Sequence, residues 1–120
     1  STLFPYTTLF RSKEKGLPWE LAKSFDGAGV LSPFVNADQF PDPTDIGIRL
    51  TINGEVRQDG NSRDMLNPIV PLIQHIAGHF SLQAGDVVLT GTPSGVGPLN
   101  SGDELLLELP GASRFETRVL

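Results

Sequence analysis

The sequence predicts one small domain of the α+β class in which strands dominate. Three features lead to this fold class. Residues 46–52 alternate apolar and polar side chains and run into Asn53-Gly54, the strongest short signal for a β-hairpin. Residues 104–120 contain a second pair of strand-like runs. Between the two pairs, residues 69–80 repeat apolar side chains at the spacing of one amphipathic helix.

The composition restricts the kind of partner. Nine basic against fourteen acidic residues give a net charge of −5, which argues against nucleic acid because phosphate binding needs basic patches. The chain has no cysteine, so it has neither disulfides nor thiolate metal sites and suits the reducing cytoplasm. No apolar run approaches the roughly 18 residues of a membrane span. We therefore expect a cytoplasmic domain that binds a small molecule.

The first twelve residues have a composition unrelated to the rest of the chain. Thr-Leu-Phe occurs twice, at residues 2–4 and 8–10, and the segment resembles translated sequencing-adaptor DNA. We interpret residues 1–12 as a non-native or artefactual segment that is kept out of fold reasoning, with a frayed natural terminus as the alternative. The domain is predicted to span residues 13–120 and to begin with a solvated turn at residues 13–16.

The next segment is predicted to form a short helix followed by an irregular connection. Pro18 suits the first position of a helix that presents Trp19 to the core or to an interface. Residues 23–27 then break the helix, and Lys23 on local grounds is a solvated charge. Three prolines favour an extended, loop-like connection over residues 31–45.

The middle of the chain is predicted to fold as a half-buried hairpin and then a helix. Residues 46–52 give its first strand, and residues 55–58 return along it. Asn67 is the predicted N-cap of the helix and Pro68 its first residue. The helix is expected to bury one apolar stripe, formed by Ile69, Leu72, Ile73, Ile76 and Phe80.

Two histidines on the flank of this helix raise the alternative of a zinc site. His75 and His79 are four residues apart, a spacing that can chelate a metal. Ile76 stands where the metalloprotease pattern has its glutamate base. We therefore expect two partly exposed histidines without a metal.

The stretch from Asp86 to Asp103 is the predicted ligand site. Residues 86–90 are typical of a strand buried on both faces. Residues 91–98, rich in glycine and proline, form a loop that can offer backbone amides and two hydroxyls to a small anion. A tight connection without a ligand is the alternative, because the glycine spacing fits neither the dinucleotide fingerprint nor the P-loop. The two aspartates each follow a glycine and are expected to form turns.

Several motifs then occur in order and at similar spacing to those of one known family. They are Gly16-Leu17-Pro18-Trp19 with Lys23-Ser24-Phe25-Asp26, Asn53-Gly54-Glu55 with Arg57-Gln58, and Gly85 to Pro93 with Gly95-Val96-Gly97-Pro98. On these motifs residues 13–120 resemble the C-terminal part of the fumarylacetoacetate hydrolase family, in its acylpyruvate and fumarylpyruvate hydrolase branch. The resemblance implies a mixed β-roll, incomplete at its N-terminal side, that forms homodimers, binds Mg²⁺ or Mn²⁺ and acts on 2,4-diketo acids or related 2-keto acids.

The resemblance also implies roles for individual residues. Lys23 matches the lysine that reaches the active site and is the predicted catalytic residue. Thr92 matches the residue that holds the carboxylate or keto oxygens of the substrate. Asp26 and Gly27 lie where the family has backbone contacts and residues that hold the substrate-binding groups in place. The complete predicted set of substrate contacts is Thr92, Gly91, Thr90 and Lys23.

No metal ligand is predicted in this chain. The family holds its cation with three carboxylates and activates water with a histidine and a glutamate, all in upstream segments without a counterpart here. The implied function is a metal-dependent hydrolase that cleaves a carbon–carbon bond in acylpyruvates such as fumarylpyruvate, and this chain alone is expected to be inactive. Three alternatives remain open: an oxaloacetate decarboxylase or tautomerase, an isomerase of unsaturated dicarboxylic acids, and a non-catalytic dimerisation fragment.

Overall fold

The computed structural model describes residues 13–16 and 23–120, in which one sheet and an α-helix at residues 69–77 are joined by long connections. The strands are β1 (Gly47–Ile52), β2 (Glu55–Asn61), β3 (Glu104–Leu109) and β4 (Ser113–Arg118), and the α-helix, α1, spans Ile69–Ala77. The sheet order is β2-β1-β3-β4, and all neighbours are antiparallel. The predicted α+β class with dominant strands is confirmed. The mixed β-roll is not confirmed, because the described part of the chain contains antiparallel pairs alone.

The predicted hairpin between β1 and β2 is confirmed. Its turn residues Asn53 and Gly54 have φ angles of 50° and 82°, the two positive values that a type I′ turn needs. The register shifts between Leu50 and Thr51, which marks a β-bulge. β2 continues to Asn61, three residues beyond the predicted return strand, and part of this extension borders the cavity of the candidate site.

The alternation predicted for β1 separates two faces of the sheet, with β1 in the middle of the four strands. One face, named the apolar face, carries Ile48, Leu50, Ile52, Leu105, Leu107 and Phe115. The other face is charged: the Arg49 guanidinium lies 2.9 Å from the Asp59 carboxylate. Among the described residues, Ile52 at 4% exposure is the one apolar side chain that is buried. The described chain therefore covers the apolar face only in part.

Helix α1 begins one residue later than the sequence predicts. Pro68 occupies the cap position, no side chain caps the helix, and Asn67 precedes it, so the predicted N-cap is wrong. The predicted buried stripe is also wrong in part. Ile73, inside the helix, is 37% exposed, and Phe80, three residues beyond its end at Ala77, is 70% exposed. The other three residues of the stripe are half-buried.

Residues 86–90 are not a strand, and the prediction of a strand buried on both faces is wrong. Val87 is 45% exposed and Leu89 is 82% exposed. Apolar, β-branched residues form a strand only where a neighbouring strand supplies backbone partners. Within residues 13–16 and 23–120, no segment pairs with residues 86–90. The following loop is therefore held by contacts other than a strand at its start.

The predicted turns are confirmed by their hydrogen bonds. The Asp86 carboxylate accepts a hydrogen bond from the backbone N–H of Gln83 at 2.8 Å. The Asp103 carboxylate accepts one from the backbone N–H of Asn100 at 2.8 Å. The turn at residues 13–16 closes with the Gly16 amide on the Lys13 carbonyl at 3.2 Å. These aspartates therefore act in turn formation, as their positions after glycines predict.

Two sequence predictions lie outside the described residues. They concern the segment 1–12 and the short helix that contains Pro18 and Trp19. In the part of the chain that is described, no helix has the length and apolar character needed to cross a membrane.

Candidate active site

A cavity of about 810 Å³ lies between the apolar face of the sheet, the first turns of α1 and the loop that follows residue 88. Ile48 and Gly60 contribute from the sheet, and Leu72 contributes from α1. The loop side of the cavity is formed by Leu89, Thr90, Gly91, Thr92, Pro93 and Ser94. Concave sites of this size, largely apolar with a few polar groups, are typical of small-molecule binding.

The loop is pressed against β2, and two glycines make this close approach possible. A Cβ atom on Gly60 would lie 2.6 Å from Cβ of Pro93. A Cβ atom on Gly95 would lie 2.1 Å from the backbone oxygen of Arg57, and Gly95 has φ of +103°. A side chain at either position would push the loop away from the strand, so glycine is required for the observed seating.

A glutamine side chain fixes the loop on the same strand. Nε2 of Gln58 donates to Oγ1 of Thr92 at 2.8 Å and to the carbonyl oxygen of Pro93 at 2.8 Å. Gln58 is half-buried, whereas Thr92 remains exposed to the cavity. Two hydrogen bonds from one amide group therefore hold both the backbone and the hydroxyl of the loop.

The opposite end of β2 is tied to the chain before β1. Oγ of Ser62 donates to the Pro43 carbonyl at 2.9 Å and accepts from the Ile46 amide at 2.8 Å. The Asp45 carboxylate accepts from the side chains of Asn61 and Arg63, and these hydrogen bonds lower the pKa of Asp45, the bond from Asn61 contributing most. Ile46, Asn61 and Ser62 line the cavity, so this network connects β2 to the chain before β1 on that side of the site.

The structure brings together part of the predicted site. Thr90, Gly91 and Thr92 lie side by side in the wall of the cavity. Lys23, Asp26 and Gly27 are exposed and do not belong to the cavity lining. The last two lie in a turn that the Ala28 amide closes on the Phe25 carbonyl at 3.0 Å. The roles implied for Lys23, Asp26 and Gly27 stay predictions.

A divalent metal does not fit the residues that the structure describes. Residues 13–16 and 23–120 contain no group of three histidine, cysteine, aspartate or glutamate side chains that could hold an ion. His75 and His79 have ring centroids 4.8 Å apart, and Nδ1 of His79 lies 3.0 Å from the backbone oxygen of His75. Both are exposed. Their predicted lack of a metal role stays a prediction.

The sequence patterns do not reveal the residues of β2 that hold the loop. They mark Gln58 only as part of a family motif and end the strand there, before Gly60. A glycine inside a strand marks a close backbone approach, and that signal could have located the loop contact. Asn61 and Ser62 are polar residues that also border the cavity. The sequence patterns do not identify them, because the predicted strand ends at Gln58.

The chain belongs to the fumarylacetoacetate hydrolase family. The family model described as "Fumarylacetoacetate (FAA) hydrolase C-terminal" matches residues 6–120, as the motifs predicted for residues 13–120. The match starts inside the segment 1–12, whose interpretation as non-native stays a prediction.

The relatives identify the kinds of enzyme that the family contains. The chain is 52% identical over 111 residues to oxaloacetate tautomerase YcgM of Escherichia coli, covering 92% of this chain and 50% of that protein. It is 44% identical over 93 residues to human mitochondrial oxaloacetate tautomerase FAHD1, covering 78% of this chain and 42% of that protein. The chain thus spans about half the length of these relatives or less.

A solved structure adds a second activity and a cofactor within the family. The fold matches fumarylpyruvate hydrolase from Pseudomonas aeruginosa in complex with Mn²⁺ and pyruvate, with a TM-score of 0.86 and 31% identity. The match covers 96% of this chain and 49% of that chain. A hydrolase therefore shares this fold, and that hydrolase binds a divalent metal.

Proposed function

We propose that this chain is the C-terminal part of an oxaloacetate tautomerase, which interconverts the enol and keto forms of that 2-keto dicarboxylic acid. The observation that carries the proposal is the 52% identity to the E. coli oxaloacetate tautomerase. The motifs alone favour an acylpyruvate hydrolase, with tautomerisation as the alternative. The relatives support the alternative better, because the fumarylpyruvate hydrolase is less similar, at 31% identity.

Tautomerisation requires few functional groups from the part of the site that this chain contains. Tautomerisation removes the proton from the enol oxygen and adds one to the other carbon of the enol double bond, the carbon next to the one that carries the oxygen, and no water is consumed. Negative charge develops on the enol oxygen between the two transfers, so a fixed hydrogen-bond donor beside that oxygen lowers the barrier. The Thr92 hydroxyl in the cavity wall is suited to that task. In its predicted role, Lys23 would offset the charge of the substrate carboxylates.

A metal, where the complete protein binds one, would supply a Lewis acid that holds the keto acid oxygens. The described residues supply no ligand set for it. The contribution of this chain is therefore proposed to be substrate binding through the loop of residues 90–92.

An acylpyruvate hydrolase is the second candidate. It is supported by the fold match to fumarylpyruvate hydrolase at a TM-score of 0.86. Both reactions act on a 2-keto acid and pass through an enolate, so the loop would serve either one. They differ because carbon–carbon cleavage needs an activated water molecule, and the groups for that step are predicted to lie outside this chain.

A chimera can separate the two candidates. The matching segment of the E. coli tautomerase is replaced by this chain, and the chimera is assayed with enol-oxaloacetate by loss of enol absorbance and with fumarylpyruvate by release of pyruvate. We expect tautomerisation well above the spontaneous rate, and loss of about 100-fold in the Thr92→Val variant. Thr92→Ser, which keeps the hydroxyl, is the matched control.

The chimera gives a result against the proposal as well. If the folded chimera releases pyruvate from fumarylpyruvate and does not accelerate ketonisation, the hydrolase is the better assignment. The 120-residue chain alone is expected to turn over neither substrate, because the described residues hold no metal ligand set. Turnover by the isolated chain with Mg²⁺ would contradict that expectation.

We also propose that the protein forms homodimers, as the family resemblance implies. Large apolar side chains are exposed on the described chain, among them Phe34 at 77%, Leu66 at 98% and Leu89 at 82%. Exposed apolar surface of this kind favours association. Analytical ultracentrifugation of the chain should show a dimer, and a monomer at all accessible concentrations would refute this proposal.

A further inference from the structure

Gln58 is the residue through which the structure controls Thr92. It lies on β2 and directs its amide group at the loop, where Nε2 is 2.8 Å from Oγ1 of Thr92 and 2.8 Å from the Pro93 oxygen. Neither contact is local, since the partners lie 34 and 35 residues further along the chain. The contacts therefore exist only because the loop crosses β2 at this point.

The Pro93 carbonyl determines which end of the Gln58 amide faces the loop. A carbonyl oxygen can only accept a hydrogen bond, so the group opposite it has to be the NH₂ rather than the oxygen of the side chain. The flipped amide would place two acceptors against each other. The NH₂ group has two hydrogens, and the two contacts use both of them.

This assignment also determines the polarity of the Thr92 hydroxyl. A hydroxyl that faces an NH₂ group has to accept from it, because that nitrogen has no acceptor capacity. The hydroxyl hydrogen of Thr92 is therefore turned away from Gln58. Since Thr92 lines the cavity, the hydrogen remains available to a ligand there.

We propose that Gln58 is a positioning residue that directs the hydroxyl hydrogen of Thr92 toward the ligand, so that Thr92 donates a hydrogen bond there. The inference rests on the proposed function for the placement of the ligand, and it deepens that function by specifying the ligand atom beside Thr92. That atom is an acceptor, either a carboxylate oxygen or the oxygen of an enolate. The oxygen of a protonated enol can accept the same hydrogen bond, but it is the poorer partner because it carries no negative charge and the hydrogen bond to it is weaker.

The test uses the full 120-residue chain and oxalate, a dianion with acceptor oxygens only. Oxalate binding is measured by NMR titration, with and without Mg²⁺, for the parent chain, Gln58→Met, Thr92→Val and the double variant. We expect Gln58→Met to weaken binding about 3- to 10-fold. In the Thr92→Val background the same change should have almost no effect, because Gln58 acts through the Thr92 hydroxyl. Thr92→Ser should restore the dependence on Gln58.

Non-additivity separates positioning from a purely structural role. If Gln58→Met weakens oxalate binding equally in both backgrounds, Gln58 only seats the loop through Pro93, and the inference is overturned. Each variant must retain the parent NMR pattern away from Gln58, its strand neighbours and residues 90–95. Gln58→Ala replaces Gln58→Met if the latter does not fold.

A second measurement distinguishes failure of the inference from failure of the proposed function. The two side-chain amide hydrogens of Gln58 are observed by NMR without any ligand, and Thr92→Val is expected to shift one of them and leave the other. If neither shifts, the contact with Thr92 is absent and the inference fails. If one shifts but the parent chain does not bind oxalate under either condition, the contact stands while the proposed ligand and its role are overturned.

Discussion

Replacing Gly95 by alanine should detach the loop from β2 and destabilise the chain more than alanine at Gly60 or Gly85 does. The φ angle of +103° is a strained conformation for alanine, with a cost of about 1–3 kcal/mol. The new Cβ would also lie 2.1 Å from the Arg57 backbone oxygen, whereas real Cβ atoms essentially never approach closer than 3.0 Å. Overpacking of this kind costs a further ~1–3 kcal/mol. The expected total is about 2–6 kcal/mol.

The two other glycines divide this total into its two causes. Gly85 has φ of +96° and no atom within 4 Å of an added Cβ, so Gly85→Ala tests backbone strain alone. Gly60 has no positive φ in the structure, but its added Cβ would lie 2.6 Å from Pro93, so Gly60→Ala tests steric overlap alone. Each should cost about 1–3 kcal/mol.

The measurement is urea denaturation of the three variants and the parent chain, with the midpoints compared at a common slope. NMR of the Gln58 side-chain amide reports whether the loop has left β2 in the folded chain. Gly95→Ala and Gly60→Ala should both disturb that amide, and Gly85→Ala should not. If Gly95→Ala costs no more than Gly85→Ala and leaves the Gln58 amide unchanged, the close approach to Arg57 is not present in solution and the reasoning is refuted.

Two further predictions concern stability. Ile52→Ala removes the side chain that is 4% exposed and should lower the free energy of unfolding by about 2–5 kcal/mol, whereas Val56→Ala, at a position 58% exposed, should change it by less than about 0.5 kcal/mol in the same urea titration. Asp103 has a pKa below its ordinary 3.8. The larger cause is the hydrogen bond that its carboxylate accepts from the backbone N–H of Asn100, and the second is the hydrogen bond that it accepts from the side chain of Asn53. Its stabilising effect is therefore fully present above the unfolded-state pKa and is lost as the pH falls through the lower folded-state pKa. Asp103→Asn should be less stable than the parent chain near neutral pH, and that difference should shrink below about pH 4; a difference that stays constant down to acid unfolding would contradict this origin.

The local elements are predictable because each depends on neighbouring residues. The Asn53-Gly54 turn requires two positive φ angles that these residues tolerate. Asp86 and Asp103 each close a turn onto the amide three residues earlier. The predicted start of α1 is one residue too early, because Asn67 is a strong cap residue but makes no cap hydrogen bond in this chain.

The candidate site is predictable only in part. The placement of Thr90, Gly91 and Thr92 in a cavity wall agrees with the loop that the sequence singles out. The motif resemblance suggests Lys23 as their neighbour, and the cavity lining does not include it. The contact of Gln58 with Thr92 is not predicted, because nothing local to a strand shows which loop will cross it.

The sequence by itself determined the family, the two hairpins, the α-helix at residues 69–77 and the residues that close the turns, because φ preferences and side-chain periodicity act over a few residues. Only the tertiary structure decided that residues 86–90 form no strand and that the following loop lies on β2. Strand pairing requires a partner segment, and the seating of the loop requires Gly60 and Gly95 to meet Pro93 and Arg57. Both are contacts between distant parts of the chain, which local patterns do not encode.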